Sequence, residues 1–322
     1  MSANDRDPAF EAARPRLFAI AYRMLGSVSD AEDVVQEAWL RWTRARADEP
    51  DTEARAEVRN PGAYLARVTT RLAIDRLRQV KRRRETYVGP WLPEPLIERE
   101  AVGPDQEPPS ASEAVALAES LKIGFLVLLE TLGATERAVF LLREAFDYDY
   151  DEIAAIVGKS PSNCRQIFAR ARKRLAIGRA ARPRDTIEEH APAHRAAGTT
   201  PRTGALLEAF VGAIASRDAS RIEALLAEDV VWHTDHGGRV RANRKPIHGA
   251  NSITRFILGL QKKLQGEHRV EFAWINGQHG WINYIDGEVF SVVAVDIDED
   301  AGVITAFHSI NNPEKLRTAS LT

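Results

Sequence analysis

Two stretches of this chain carry clustered positive charge of the kind that binds phosphate. The first ends in Lys81-Arg82-Arg83-Arg84, and the second occupies residues 160–175. Residues 59–84 contain nine Arg or Lys against one acid, and residues 159–184 contain nine against none. Clustered cations favour nucleic-acid binding because each phosphate contact releases counterions. The sequence therefore predicts two separate nucleic-acid-binding surfaces.

Other kinds of chemistry are disfavoured by the composition. The 322 residues include a single cysteine, Cys164, which excludes a disulfide framework and a thiolate metal site. No apolar run approaches the roughly 18 residues of a membrane span, and the first 25 residues lack a signal-peptide pattern. We expect a cytoplasmic protein of two or three domains, with no metal, no cofactor and no membrane contact.

The first basic cluster is preceded by an acidic helix. Residues 28–57 contain nine Asp or Glu against four Arg. Ser29 and Glu32 have the spacing of a capping box, which predicts that the helix begins there. Its apolar stripe is Val34, Val35, Ala38, Trp39 and Trp42. The stripe leaves Asp33, Gln36 and Glu37 facing outward, and this acidic face predicts a protein partner.

The basic helix that follows is expected to begin at Asn60 and Pro61. At 100° per residue, Leu65, Val68 and Leu72 share one strip. A second strip is basic and consists of Arg67, Arg71, Arg78 and Arg82. Tyr64 lies at the start of this helix, where an aromatic ring can stack on an unpaired base. Packing of Tyr64 in the core is the alternative.

The second basic cluster belongs to a predicted helix-turn-helix. Asp149 begins a short helix that Gly158 ends, and Ser160 with Pro161 begins the next. Cys164, Phe168, Ala171 and Leu175 share the core face of the second helix, so the cysteine is expected to pack rather than react. A recognition helix places its N-terminal residues at base edges and its later cations on phosphates. We expect base contacts from Ser162, Asn163, Arg165 and Gln166, and backbone contacts from Arg170, Lys173 and Arg174.

The last third changes to two helices followed by strands. Helical spacing covers residues 205–216, 219–227 and 252–264, and strand patterns cover 230–235, 270–275, 281–285, 289–297 and 303–310. This order predicts an α+β domain with one antiparallel sheet curled around a core. Five side chains could supply acid–base chemistry, but none has a diagnostic spacing: His233, Asp235, His248, His279 and His308.

Residues 30–42, followed by Ala73-Ile-Asp-Arg-Leu-Arg78, resemble the first folded domain of extracytoplasmic-function (ECF) sigma factors. In that family the acidic helix docks on RNA polymerase and the basic helix opens and reads the -10 element. The resemblance implies that Asp33, Gln36 and Glu37 contact core RNA polymerase. It places at or near -10 promoter DNA the residues Asn60, Tyr64, Arg67, Arg71, Arg76 and Arg78. The helix-turn-helix resembles the sigma domain that reads the -35 element.

Three further segments resemble the sigma subfamily with a SnoaL-like C-terminal extension. They are Tyr87-Val-Gly-Pro-Trp-Leu-Pro-Glu-Pro95, Asp235-His-Gly-Gly-Arg239 and Asn312-Pro-Glu-Lys-Leu316. The second departs from the subfamily's Asp-Gly-Gly-Gly-Lys at His236 and Arg239, and both later segments also suit simple turns. The resemblance implies a regulatory interdomain contact made by Trp91, Leu92, Pro93, Asp235, Gly237, Gly238, Arg239, Asn312, Pro313 and Lys315. It further implies that no separate anti-sigma factor is required.

Together these patterns predict a multidomain chain. Two all-α sigma domains, the second with the helix-turn-helix, precede an α+β cone of the SnoaL-like, ketosteroid-isomerase-like kind. The expected ranges are 8–84, a Pro-rich linker at 85–112, 113–180, a second linker at 181–202, and 203–318. The predicted function is an alternative sigma factor, not an enzyme, regulated by its own C-terminal domain, with a small ligand in the cone left open. The alternatives are a one-component regulator with a ligand-sensing cone and a cone enzyme fused to a DNA-binding module.

Overall fold

A computed structural model of the chain describes residues 7–47, 60–84, 86–98, 122–180, 201–240 and 242–317. They divide into two compact units. The helical unit contains the described residues of Met1–Thr86 and Leu129–Ala176. The sheet unit contains those of Tyr87–Leu128 and Ile177–Thr322.

The helical unit is built from helices alone, as predicted for this part of the chain. In chain order these are α1 (Pro8–Leu25), α2 (Val28–Ala47) and α3 (Pro61–Arg84), then α5 (Ala134–Glu144), α6 (Tyr150–Val157) and most of α7 (Pro161–Ala180). The short helix α4 (Ile123–Leu129) ends where the division between the units falls. Phe10, Leu17, Val35, Trp42 and Leu65 form the buried core between α1, α2 and α3.

Polar caps determine where most of these helices begin and end. Asn60 accepts the Ala63 amide at 3.1 Å, and Gly26 ends α1 at a φ of 65°, both as predicted. The capping box predicted at Ser29 and Glu32 is wrong. The helix α2 begins at Val28, and the Ser27 hydroxyl accepts the Asp30 amide at 3.3 Å. The true N-cap lies two residues earlier, because Ser27 offers the same chemistry as Ser29.

A buried ion network joins the end of α3 to α5. Glu130 accepts from Arg84 and Arg137, each at 2.7 Å, and Arg137 also donates to the Met24 carbonyl at 2.8 Å. Burial alone raises the pKa of the Glu130 carboxyl, but the two guanidinium groups outweigh it and hold that pKa below its usual range. Removing one partner from such a network leaves a buried charge unpaired, so the network resists separation of α3 and α5.

The sheet unit contains seven strands. They are β1 (Ile97–Glu98), β2 (Leu226–Asp235), β3 (Ile247–His248), β4 (His268–Ile275), β5 (Gln278–Ile285), β6 (Glu288–Asp298) and β7 (Val303–Ile310), in the spatial order β1-β4-β5-β6-β7-β2-β3. Strands β4 to β7 form the predicted antiparallel meander. The expectation of a wholly antiparallel sheet is wrong for β2, which pairs parallel with β7. The chain reaches β7 from β2 through one helix and four strands, and a crossover of that length permits parallel pairing.

Helices α8 (Pro201–Ala215), α9 (Ala219–Ala224) and α10 (Ala250–Lys263) cover the inner face of this sheet. We call β2–β7 with α8–α10 the cone. Aromatic rings fill its interior: Phe307 lies 4.5 Å from Trp232 and 5.2 Å from Phe210 between ring centroids, and Trp281 packs beside them. The α+β class predicted for the last third is confirmed.

The outer face of the sheet is covered by chain from outside the cone. Leu92 and Ile123, 1% and 0% exposed, pack there with Ile275, Val292 and Ile310. We call residues 87–98 the linker segment. It runs extended, as the prolines predict, and contributes β1, whose Ile97 pairs with Ile275 of β4. Pro104, Pro108 and Pro109 of the predicted linker lie outside the described residues.

Candidate nucleic-acid interface and interdomain site

The outward face of α2 carries the three residues predicted to bind a protein. Asp33 has 68% of its side chain exposed and lies 3.6 Å from Arg76, and Gln36 is exposed beside it. Glu37 forms an ion pair with Arg41 one turn later, at 2.9 Å. Asp30, in contrast, accepts from Arg76 at 2.8 Å and is part of the packing between α2 and α3.

The start of α3 holds Tyr64 against the domain core. Its ring lies 5.7 Å from Trp42, and the Arg67 guanidinium lies 5.7 Å above the Tyr64 ring. Tyr64 is half-buried. The residue therefore has both features that the sequence left open, a packed ring and a face turned partly outward.

Three arginines predicted for DNA are engaged with protein atoms. Arg71 donates to the carbonyls of Ile156 at 2.8 Å and Ala155 at 3.0 Å, at the C-terminal end of α6. Arg76 is paired with Asp30, and Arg78 with Asp75 at 2.9 Å. In this conformation Arg71, Arg76 and Arg78 thus contact other residues of the helical unit. These partners were not foreseen, because helical spacing predicts a shared face but not what the face contacts.

Helices α6 and α7 form the predicted helix-turn-helix. Asp149 caps α6, Gly158 ends it at a φ of 67°, and the Ser160 hydroxyl accepts the Asn163 amide at 3.3 Å. Cys164 is buried, and burial raises the pKa of its thiol, so the cysteine packs as predicted.

The face of α7 opposite Cys164 is polar and open. The predicted contact residues on it are exposed except Asn163, which is half-buried: Ser162, Asn163, Arg165, Gln166, Arg170, Lys173 and Arg174. Arg165 lies 5.2 Å above the Tyr150 ring, and Arg174 pairs with Glu136 at 2.7 Å. The first turns of α7, where base contacts are expected, therefore present side chains to solvent.

The interdomain site predicted in the C-terminal third is centred on Asp235, whose side chain is 0% exposed. Its carboxylate accepts from the Tyr87 hydroxyl at 2.5 Å, the Leu92 amide at 2.8 Å and the Lys315 ammonium at 2.6 Å. Burial and the neighbouring carboxylate raise the pKa of Tyr87, so its hydroxyl stays protonated and donates. These three donors, one of which is the positively charged Lys315, satisfy a carboxylate that would otherwise be costly to bury.

Lys315 and Asn312 extend this network into the linker segment. Lys315 also donates to the Leu92 carbonyl, and its ammonium lies 4.4 Å from the Trp91 ring. Asn312 donates to the Tyr87 hydroxyl at 2.8 Å. Leu92 and Pro93 are buried. Pro313 is followed by Glu314, which forms an exposed ion pair with Arg239 at 2.6 Å. Tyr87 belongs to the linker motif but was not among the predicted contact residues, because no local feature of the sequence places it beside Asp235, 148 positions later.

The loop after Asp235 depends on its glycines. Gly237 and Gly238 have φ values of 56° and 71°, and a β-carbon on Gly237 would lie 2.5 Å from the Asn312 amide nitrogen. His236, where the chain departs from the subfamily pattern, is buried and accepts the Gly238 amide at 3.0 Å. Its ring fills the space over Gly89, where a β-carbon would lie 2.7 Å from Nε2. The larger residue is accommodated because the linker has a glycine opposite it.

The histidines of the cone do not gather into one site. Burial lowers the pKa of His279 to about 4, so its ring is neutral and stacks on Trp274 at 4.2 Å. His248 is exposed on β3. His308 contacts Asp296 at 2.8 Å on the outer face of the sheet, and His233 stacks on His308.

Two kinds of feature are absent from the described ranges. None of the helices with described residues is long and apolar enough to cross a membrane. Within the part of the chain that the structure describes, no group of three or more His, Cys, Asp or Glu side chains could hold a metal ion.

Comparison with known proteins gives matches along most of the chain. The family model for Sigma-70 region 2 matches residues 9–83, and the model for Sigma-70, region 4 matches residues 124–175. The ECF RNA polymerase sigma factor SigJ of Mycobacterium tuberculosis (strain ATCC 25618 / H37Rv) is 34% identical over 323 residues, covering 97% of this chain and 93% of the relative.

Two further matches agree. The probable ECF RNA polymerase sigma factor SigI of Mycobacterium tuberculosis is 28% identical, covering 96% of this chain and 93% of the relative. The crystal structure of Mycobacterium tuberculosis SigJ aligns with a TM-score of 0.68 and 30% identity, covering 95% of this chain and 96% of that chain. The likeness therefore includes the cone as well as the helical unit.

Removal of the buried carboxylate tests the Asp235 network. Asp235→Ala should destabilise linker docking by about 3 kcal/mol, because Lys315 is left as an unpaired charge in the interface. Hydrogen exchange at the Leu92 amide should accelerate accordingly. Arg239→Ala is the matched control from the same loop, since its pair with Glu314 is exposed and worth about 0–1 kcal/mol. Equal exchange rates in the two variants would contradict this account of the site.

Proposed function

The chain belongs to the ECF sigma factors of RNA polymerase, and we propose that its α2 face, α3 and α7 direct core enzyme to promoters under control of the cone. As a member of this family it is an alternative sigma factor that directs promoter-specific transcription initiation. The single observation that best supports the assignment of surfaces is the open polar face of α7, backed by a capped helix-turn-helix.

Core polymerase is proposed to bind the outward face of α2. Asp33, Gln36 and Glu37 lie beside one another there, and the opposite side of the helix is buried in the core. Among the ion pairs of the described residues, Asp33 pairs with Arg76 and Glu37 pairs with Arg41. Both pairs are largely exposed and contribute little to stability, so a basic partner can replace them at small cost.

Promoter DNA is proposed to bind two surfaces. The start of α3, with Asn60, Tyr64 and Arg67, is assigned to the -10 element, and the N-terminal half of α7 to the -35 element. Arg71, Arg76 and Arg78 are assigned to the -10 region as well, and their protein contacts must be exchanged for DNA when the promoter binds.

The internal contacts of the helical unit support a state of the protein in which promoter DNA is not bound. The two promoter elements lie about 25 base pairs apart by position, or about 85 Å along B-DNA at 3.4 Å per base pair. Helix α3 contacts α6 through Arg71 and α5 through Lys81, which donates to the carbonyls of Glu130 and Leu132. We propose that these contacts break during promoter binding, so that the start of α3 and the face of α7 can separate and reach both elements.

The cone is proposed to control that opening through the linker segment. Residues 87–98 connect α3 to the rest of the chain, and the Asp235 network holds them on the cone. The cone, a domain of the same chain, would thus regulate the sigma domains as an anti-sigma factor regulates them in other systems. The aromatic filling of the cone interior supports a docking role over an enzymatic one, because acid–base chemistry needs space for a substrate.

The polymerase assignment can be tested with paired charge changes. Asp33→Ala with Glu37→Ala should weaken binding to core polymerase by about tenfold, since both side chains would lose charged partners while the buried side of α2 is unchanged. Glu144→Ala with Asp147→Asn removes the same charge from exposed positions elsewhere and serves as the control. Wild-type affinity in the first double variant would show that α2 is not the docking helix.

The recognition helix should separate base preference from general affinity. Replacing Arg165 and Gln166 by alanine should alter selection within the -35 element, with each base contact worth about 1–3 kcal/mol. Lys173→Ala should instead weaken all sequences alike and reduce the salt slope of binding by about one. Selection from a promoter library by holoenzyme provides the measurement. An unchanged sequence preference in the Arg165/Gln166 variant would refute the placement.

A further inference from the structure

A second polar cluster lies on the outer face of the cone, apart from Asp235. Asp296 on β6 and His308 on β7 are in contact at 2.8 Å, and Gln278 on β5 donates to Asp296 at 3.1 Å. All three side chains face the surface that packs against α4 rather than the aromatic interior. The cluster is therefore not part of a cavity within the cone.

The start of α4 sits on this cluster. The Ile123 amide donates to the Gln278 side-chain oxygen at 3.0 Å, and Ile123 itself is 0% exposed. Gly124 lies over the other two residues: a β-carbon there would be 3.0 Å from the Asp296 carboxylate and 3.4 Å from His308 Nε2. A glycine at this position therefore lets the helix approach the cluster without crowding the Asp296 carboxylate.

The electrostatics favour this contact. Burial alone raises the pKa of Asp296, but His308, Lys122 and the Gln278 hydrogen bond outweigh it and lower that pKa below its usual range. The carboxylate thus stays ionised at neutral pH, where it attracts Lys122 at the start of α4. Gln278 is fully used, because its amide nitrogen donates to the Val295 carbonyl and to Asp296 while its oxygen accepts from Ile123.

Helix α4 lies at the start of the region 4 match, but most of it packs as part of the sheet unit. The Sigma-70, region 4 model starts at residue 124, yet residues up to Leu128 pack within the sheet unit, and Leu129 begins the second segment of the helical unit. The helical hydrogen bond from the Leu126 amide to the Lys122 carbonyl forms on the cone surface. The first helix of the region 4 match is therefore anchored on the cone, ahead of the helices that form the helix-turn-helix.

We propose that Asp296, His308 and Gln278 form a second docking site of the cone, which holds the first helix of region 4 and restrains the -35-reading domain. It acts in addition to the Asp235 site, which holds the other end of the Pro-rich linker. The proposal rests on the proposed function for its consequence in transcription, but the docking itself is independent of that function.

Substitution of Gly124 tests the site from the side of the helix. Gly124→Ala should favour an isolated helix, since alanine is the better helix former by about 1 kcal/mol. On the cone the added methyl group would lie 3.0 Å from the Asp296 carboxylate, closer than ordinary van der Waals contact, so the helix is expected to be displaced and amide exchange in residues 123–129 of the full chain to accelerate by about tenfold. Gly259→Ala in α10 is the matched control, because a β-carbon there meets nothing within 4 Å.

The cone side of the contact provides a second variant. Asp296→Asn keeps the shape but removes the charge, and it should also accelerate exchange in α4 while amides of β5 and β6 stay protected. Because both substitutions break one contact, their combination should add little to either. Unchanged α4 exchange in both variants would overturn the docking site, whatever the variants do in transcription.

Transcription with core polymerase then tests the consequence. Both variants should change output from a cognate promoter by about fivefold or more, whereas Gly259→Ala should not. Faster α4 exchange with unaltered output would overturn the restraint on region 4. A failure of the proposed function looks different: the wild-type chain itself would then give no promoter-specific transcription.

Discussion

The Asp235 carboxylate is the group on which the organisation of the sheet unit depends. A fully buried carboxylate is costly unless donors surround it, and here three donors come from two separate segments of the chain. Tyr87 and Leu92 belong to the linker segment, and Lys315 to the C-terminal turn. None of these segments can leave without exposing an unsatisfied charge. The linker segment is consequently part of the fold of the cone rather than a free tether.

The two faces of the sheet pack against different parts of the chain. The inner face is covered by helices α8–α10 and packed with Trp232, Trp281 and Phe307. The outer face binds chain that precedes the cone, at Leu92 and again at Ile123.

Local features of this structure could be predicted from the sequence. The ends of α1 and α6, the start of α3, the helix-turn-helix and the packing of Cys164 follow from caps and periodicity, which depend on neighbouring residues. Non-local pairings could not be predicted in the same way. The parallel pairing of β2 with β7, the binding of Arg71 to the end of α6 and the contact of Gly124 with Asp296 join residues that lie 75 to 172 positions apart. Alternation tells which face a side chain takes but does not identify its partner. The Ser27 cap was missed for a simpler reason, since two serines compete within one turn.

The central claim is that docking of the linker segment on the cone sets the transcriptional output of this sigma factor. The most direct measurement is in vitro transcription by core polymerase from a promoter selected by the full-length protein, comparing wild type with Asp235→Ala at saturating sigma. A coupling of about 1–3 kcal/mol corresponds to a change of about 5- to 150-fold, and we expect the output of the variant to differ from wild type by at least the lower figure. Equal output, with equal binding to core polymerase, would contradict control by the cone.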